Sequence, residues 1–357
     1  MRDYLYSLAT DKSKGFFSSI IKFPLLILSF IYGLIIRFMT FFSRHFPYRL
    51  NCKVISVGNI TLGGTGKTSL VEFVARYLKQ RGHKVAILTR GYKRKTSNFE
   101  LRTSNYETMG DEPCMLLNKL GDIPVIVDAD RIRGAKRAIE EHSADTVILD
   151  DGFQQWRIIK NLEIVAIDTT NPFGNRHMIP RGILREPLSS LKRADIFVLT
   201  KTNLGKDVEA IRDYLSKLNP ESIIIESQHL PIVFYNINNP EEVLNIDILK
   251  GKSAALFSGI GDPASFENTV AGLGIKPALT FRFIDHHRYT KEDLDKIFAA
   301  AQEKNINTVI TTEKDAVRLA PRQAATGNRQ IFVLRIELKV TKNEDELCSG
   351  LLKLYSL

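Results

Sequence analysis

From Arg49 onward, short apolar runs alternate with segments of helical spacing. The runs Lys53–Val57, Val85–Thr89, Val125–Asp128, Thr146–Asp150, Glu163–Asp168, Ile196–Thr200 and Ser222–Glu226 are too short for helices. Their continuous apolar character predicts strands buried on both faces of a parallel sheet. Between the first two, Leu70, Phe73, Val74, Tyr77 and Leu78 recur at helical spacing, and Gly82 supplies a stop. The alternation fails around Gln228–Ile248, where Pro231, Pro240 and several Asn intervene, which predicts a domain boundary. A second α/β unit follows, with strands near Ala254–Ser258, Thr308–Thr312 and Ile331–Arg335. Its helix Thr290–Lys304 opens on Thr290 and Asp293, the spacing of a capping box. The expected organisation is a larger α/β domain over 49–228 and a smaller one over 229–357, whose C-terminal helix can pack back on the first.

The first 48 residues break this pattern. From Phe16 to Phe46 the chain is dense in Phe, Ile and Leu. The uncharged stretch between Lys22 and Arg37 spans roughly 21 Å as a helix, short of the ~30 Å hydrocarbon core. Pro24 and Gly33 interrupt it, and Lys12, Lys14, Lys22, Arg37 and Arg44 punctuate it. No small-residue cleavage site follows, so a secretory signal is disfavoured. An interfacial helix with basic residues facing lipid phosphates fits this pattern; an apolar helix buried against the protein is the alternative.

Charge changes the picture slightly. Fifty Lys and Arg against 40 Asp and Glu give a net +10, which suits nucleic acid, anionic lipid or a phosphorylated substrate, or a basic soluble enzyme. Cys52, Cys114 and Cys348 are sparse and lack metal-ligand spacing, so neither a disulfide framework nor structural zinc is expected.

The chemistry starts where Lys53–Val57 runs into Gly58-Asn59-Ile60-Thr61-Leu62-Gly63-Gly64-Thr65-Gly66-Lys67-Thr68. Glycines let backbone N–H groups turn around phosphate oxygens at a helix N-terminus. Lys67 then reaches the β- and γ-phosphates, and the Thr68 hydroxyl ligates Mg²⁺. Gly63, Gly64, Thr65 and Gly66 form the cradle, with Thr61 where the motif usually has its first glycine. The strand Thr146–Asp150 ends in Asp150-Asp151, where such enzymes keep a magnesium-organising carboxylate. Asp111 and Glu112 in Gly110-Asp111-Glu112-Pro113 cap a helix or supply a base and a metal-shell ligand. In Asp285-His286-His287 a histidine beside a carboxylate is a candidate general base or a plain structural residue. Arg90 and Tyr92, and Arg185 and Glu186, lie in loops at the ligand-binding side of the sheet. They are candidate substrate contacts, with solvated loops as the default.

Together these segments resemble the tetraacyldisaccharide 4′-kinase family of lipid A biosynthesis. The resemblance covers nearly the whole chain and rests on Val57-Gly58-Asn59 with Gly63–Thr68, Arg90-Gly91-Tyr92, Gly110–Pro113, Asp150-Asp151-Gly152-Phe153-Gln154, Leu184-Arg185-Glu186-Pro187, Asp285-His286-His287 and Thr312-Glu313-Lys314-Asp315-Ala316. It implies a P-loop NTPase-type α/β fold, a mostly parallel sheet flanked by helices, with a second smaller α/β domain and the apolar N-terminal helix. It further implies transfer of the ATP γ-phosphate, with Mg²⁺, to the 4′-hydroxyl of a tetraacylated disaccharide 1-phosphate, giving lipid IVA. The expected setting is the cytoplasmic face of a Gram-negative inner membrane, against membrane lipid, with no nucleic acid and no obligate protein partner.

By position, Asp111 matches the aspartate that activates the acceptor hydroxyl with a histidine, assigned to His286 with His287 as the alternative. Glu112, Asp150 and Asp151 match residues around Mg²⁺, and Arg185 a basic contact to substrate. Gln155-Trp156 departs from the family's usual His-Arg, and Ser69 from a frequent proline. Placing Asp111 on the first domain and His286 on the second makes base assembly depend on domain closure. The rival readings are a membrane-associated P-loop switch ATPase or GTPase, a kinase of a soluble sugar, and a non-enzymatic nucleotide-binding module. The apolar N-terminus favours a lipid acceptor over the rivals, since a soluble substrate gives no reason to keep the enzyme at a membrane.

Overall fold

A computed structural model describes residues 7–11, 13, 15–91, 109–319 and 330–356. Lys12, Lys14 and Tyr92 lie outside them. The chain forms two compact units, one of Met1–Arg90, Ile123–Gln228 and Lys339–Leu357, the other of Gly91–Asp122 and His229–Leu338. The segment that carries Asp111 therefore belongs with the second unit, whereas the sequence reading put it with the phosphate loop.

In the first unit the strands are β1 (Lys53–Gly58), β2 (Val85–Thr89), β3 (Val125–Val127), β4 (Thr146–Asp150), β5 (Leu162–Asp168), β6 (Ile196–Thr200) and the start of β7 (Ile223–Asn236). They lie in the order β3-β2-β4-β1-β5-β6-β7, with parallel pairing throughout. The apolar runs predicted these strands because each is covered on both faces; β2, β4 and β6 are buried at every position. The helix Lys67–Gln80 presents Leu70, Val71, Val74, Ala75 and Leu78 to the core. At about 1.5–3 kcal/mol per large side chain, this stripe holds the helix. The sheet order reverses at β1, between β4 and β5, and ligands of such sheets bind beyond the strand ends at that point.

The second unit contains the end of β7 with β8 (Asn239–Asn245), β9 (Ser253–Ser258), β10 (Lys276–Arg282), β11 (Thr308–Thr312) and β12 (Ile331–Lys342). Here β10, β9, β11 and β12 are neighbours in parallel. The units divide between Gln228 and His229, where the alternation failed, and the stretch beyond forms an antiparallel β7–β8 hairpin. Its prolines hid it. Pro231 precedes the first β8-paired residue, Val233, and Pro240 falls in the bulged interval between Asn239 and Val243, so neither removes a ladder hydrogen bond between the two strands. The helix Lys291–Glu303 starts on the predicted capping box, with both Thr290–Asp293 bonds present. Two apolar clusters fill this unit, one around Phe257, Ile297 and Phe298, the other around Phe234, Leu256 and Phe332.

The N-terminal helix runs unbroken from Phe16 to His45 with Pro24 inside it. It is long and apolar enough to cross a membrane, and only 17% of its most apolar window is buried. Its polarity is inverted: Ser29 donates to the Met178 carbonyl at 2.6 Å and Tyr32 to the Arg185 carbonyl at 3.0 Å. Phe23, Phe30, Phe38 and Phe41 point outward, each about three-fifths exposed.

Candidate active site

The phosphate loop leaves β1 at Gly58, which must be glycine because a Cβ there would meet the Phe153 backbone nitrogen at 2.5 Å. That close approach brings the loops after β1 and β4 together, as the register Val57 to Asp150 requires. Thr61 replaces a glycine because it is extended, bridging antiparallel to Leu184, with Leu62 N–H on the Ile183 carbonyl at 2.8 Å. Gly66, at φ 79°, turns the chain into the helix Lys67–Gln80, where no side chain caps the N-terminus and no acid occupies the first turn. Its orphan N–H groups and positive dipole end suit an anion. Gly63 and Gly64 leave open space where a Cβ would stand, and the Thr65 hydroxyl is buried without a partner. The cradle thus fits a polyphosphate.

Lys67 donates to Asn59 Oδ1 at 2.9 Å and lies 3.5 Å from Asp151. Arg185 grips Asp151 with two nitrogens at 2.8 and 2.9 Å and also bonds Asn59 Oδ1 and the Asn59 carbonyl. Enclosure raises the Asp151 carboxyl, but the Lys67 and Arg185 charges outweigh that and hold it well below the usual carboxylate range. Asp151 also takes a left-handed φ of 55°, a costly conformation that clusters at functional sites. Asp150 is 4% exposed, and its carbonyl accepts from buried Arg131. Thr68 starts the helix beside Lys67. Arg90 is exposed at the end of β2.

One expectation is corrected here. Glu186 is not a surface contact: it is fully buried and takes Gln154, Trp156 and Arg193, at 2.9–3.1 Å. Trp156, where the family has arginine, is thereby a brace. Glu112, assigned to the metal by resemblance, sits in the second unit at 3.4 Å from Lys314.

The second unit holds the candidate base. His286 Nδ1 and Asp111 Oδ2 are 2.7 Å apart in one unit, so the pair is already formed and needs no domain closure. Arg318, 1% exposed, donates to the same Asp111 oxygen at 2.6 Å, to Asp315 at 3.0 Å and to the Gly259 carbonyl at 2.6 Å. Asp315 is buried and also accepts from Gly259 N–H and the Tyr289 hydroxyl, both at 2.9 Å. Burial raises the Asp111 carboxyl, but the His286 hydrogen bond and the Arg318 charge more than reverse it. Burial pushes Asp315 up, so the pair of aspartates on one arginine is driven in opposite directions. His286 has φ 63°, and its N–H reaches the Gly259 carbonyl at 3.1 Å. His287 turns away to Asp293 at 2.8 Å, so of the two histidines it is His286 that meets Asp111.

Sequence reasoning missed Asn59, Arg131 and Arg318 as site residues. Asn59 lay inside a quoted motif, but its role as the acceptor for two cations depends on Arg185, far along the chain. Arg318 lies two residues past the quoted Thr312–Ala316, about one helical turn beyond Asp315, and only its burial marks it.

The family model for tetraacyldisaccharide-1-P 4′-kinase, LpxK, matches residues 21–355. Tetraacyldisaccharide 4′-kinase of Elusimicrobium minutum is 39% identical over 305 residues, covering 82% of this chain and 80% of that protein. The Halothermothrix orenii protein of the same name is 34% identical over 369 residues, covering 97% and 96%. The crystal structure of LpxK from Aquifex aeolicus in complex with ATP superposes with a TM-score of 0.74 at 28% identity, covering 94% of this chain and all of that one. The chain belongs to the tetraacyldisaccharide-1-P 4′-kinase family.

Proposed function

We propose that the chain transfers the γ-phosphate of ATP to the 4′-hydroxyl of tetraacyldisaccharide 1-phosphate, and that its two constellations divide this work. The preformed Asp111–His286 pair locked by Arg318 is the observation that carries the reading. A sugar hydroxyl is a poor nucleophile near neutral pH, and a base within hydrogen-bond reach is what a nucleotide switch does not need. Asp111 holds the imidazole by Nδ1 and stabilises it once charged; His286 Nε2 takes the hydroxyl proton. Lys67, the loop N–H groups and the helix N-terminus hold the phosphates and neutralise the charge that develops on them.

Thr68, Asp150 and Asp151 are the oxygen donors that would hold Mg²⁺, which binds through few carboxylates and keeps substrate phosphates as further ligands. Bound there, the ion supplies charge neutralisation on the phosphate oxygens. With a polyanion bound, Lys67 and Arg185 would be free to turn from Asp151 to its oxygens. Arg90 and Arg185 are the proposed acceptor contacts, joined by Tyr92. The outward aromatic face of the N-terminal helix fits peripheral attachment to the cytoplasmic face of an inner membrane, where a lipid-linked acceptor is presented.

Radiolabelled ATP, the tetraacyldisaccharide 1-phosphate and purified protein test the activity. Labelled lipid IVA is expected; hydrolysis without labelled lipid defeats the reading in favour of a nucleotide switch. Deleting residues 1–45 is expected to abolish vesicle binding, and unchanged binding would reject the membrane assignment.

A further inference from the structure

Beside the C-terminal half of the N-terminal helix the first unit contains an open cavity of about 940 Å³. Trp156 and the segment after Pro187 form its opposite wall. None of Lys67, Asp151, Arg185, Asp111 or His286 lines it. Five Lys and Arg side chains face it against two carboxylates, Glu163 and Asp195. Both carboxylates are engaged: Glu163 pairs with Lys160 at 2.5 Å, and Asp195 accepts the Glu163 N–H at 2.7 Å. Glu186 in turn occupies Arg193 at 2.9 Å. Arg37, Arg44 and Lys192 are left exposed, with no carboxylate partner among the described residues. Ser189 and Ser190 add hydroxyls to the same wall. Phe41 also lines the cavity, and Phe38, Phe42 and Phe46, its neighbours along the chain, are exposed.

We infer that this cavity is a headgroup site for an anionic phospholipid, distinct from the nucleotide and base constellations. Three unpaired cations and two hydroxyls match a phosphodiester, and the volume lies in the range of small-ligand sites. The adjoining aromatic face supplies a bed for acyl chains, which a soluble anion has no use for. Basic side chains at a membrane surface each add to the affinity for anionic lipid, and an interfacial helix places Arg37 and Arg44 at headgroup depth. The inference rests on the membrane attachment proposed above and adds to it a choice of lipid.

Trp156, the single tryptophan of the chain, reports on the site directly. The full-length protein is mixed with vesicles of phosphatidylcholine alone, or with about one-third phosphatidylglycerol, and Trp156 emission is followed with a headgroup spin-labelled lipid as quencher. Binding is expected to tighten on the order of 10²-fold with the anionic lipid, about what three surface cations supply, and Trp156 to be quenched. The variant R37Q/R44Q/K192Q should lose both effects yet keep its binding to phosphatidylcholine and its turnover on detergent-dispersed acceptor. The control K206Q/K217Q/K353Q, which removes three exposed cations elsewhere in the unit, should keep both. Equal losses in the two variants, or a preference that survives in the first, would overturn the headgroup site while leaving attachment intact. A raised acceptor KM in the first variant, in detergent, would instead make the cavity part of the acceptor site. Failure to bind any vesicle would reject the attachment itself.

Discussion

Around the phosphate loop Asp151 keeps 43% of its side chain exposed, and Lys67 and Arg185 share it with Asn59. Around Asp111 the holding cation, Arg318, is 1% exposed and spends its donors on two aspartates and a backbone carbonyl at once. The first set is a group of mutually neutralising charges in contact with water, whose partners exchange cheaply when a polyanion arrives. The second is a dry network, in which removing one member strands the others and costs several times more. On the proposed function, the first region would be displaced by its ligand and the second would stay fixed while a proton crosses it.

Breaking the fixed region should produce the largest effect on rate. His286→Ala is expected to lower kcat on the order of 10²–10⁴-fold, the usual worth of a positioned base, while ATP affinity measured by calorimetry is retained. Lys67→Ala attacks the exchangeable region: ATP binding weakens and kcat/KM falls about 10²–10³-fold, as for loss of one charge-stabilising donor. His287→Ala should leave turnover near wild type, because its ring is committed to Asp293.

Arg318→Lys sharpens the comparison through pH. The folded protein holds the Asp111 carboxyl below its ordinary range, so ionised Asp111 favours the native state above about pH 4. That contribution is lost as pH falls through the lowered value. Weakening the Arg318 contact lets the carboxyl rise, so the acidic limb of the kcat profile should move to higher pH with little change on the alkaline side. A merely structural role would lower kcat evenly at every pH. The smallest effect on turnover belongs to Glu186→Gln. It removes the charge that holds Arg193 and should cost about 1–3 kcal/mol in urea unfolding, with activity per folded molecule unchanged. Had Glu186 been an acceptor contact, KM would rise instead.

The same contrast explains what could be read from the chain. The donor side is a contiguous motif between a strand and a helix, so its glycines, Lys67 and Thr68 were legible without a structure. The strands of the first unit were legible too, since burial on both faces writes itself as an unbroken apolar run. The proposed base draws on residues 111, 286 and 315–318, and only a non-local fold puts them together. Asp111 was recognisable from its motif, but its unit was not, because sequence order placed it beside the phosphate loop. The boundary after Gln228 was legible, but not the β7–β8 hairpin, because its prolines sit at positions without β8 partners. Glu186 was misread because a carboxylate beside an arginine in a loop looks like a surface contact until its burial is known.

Asp111→Ala, carried through ATP calorimetry and a single-turnover assay with the tetraacyldisaccharide 1-phosphate, tests the division of labour most directly. ATP affinity equal to wild type with phosphoryl transfer slowed at least about 10²-fold is the predicted result. Transfer at the wild-type rate, or loss of ATP binding, would contradict it.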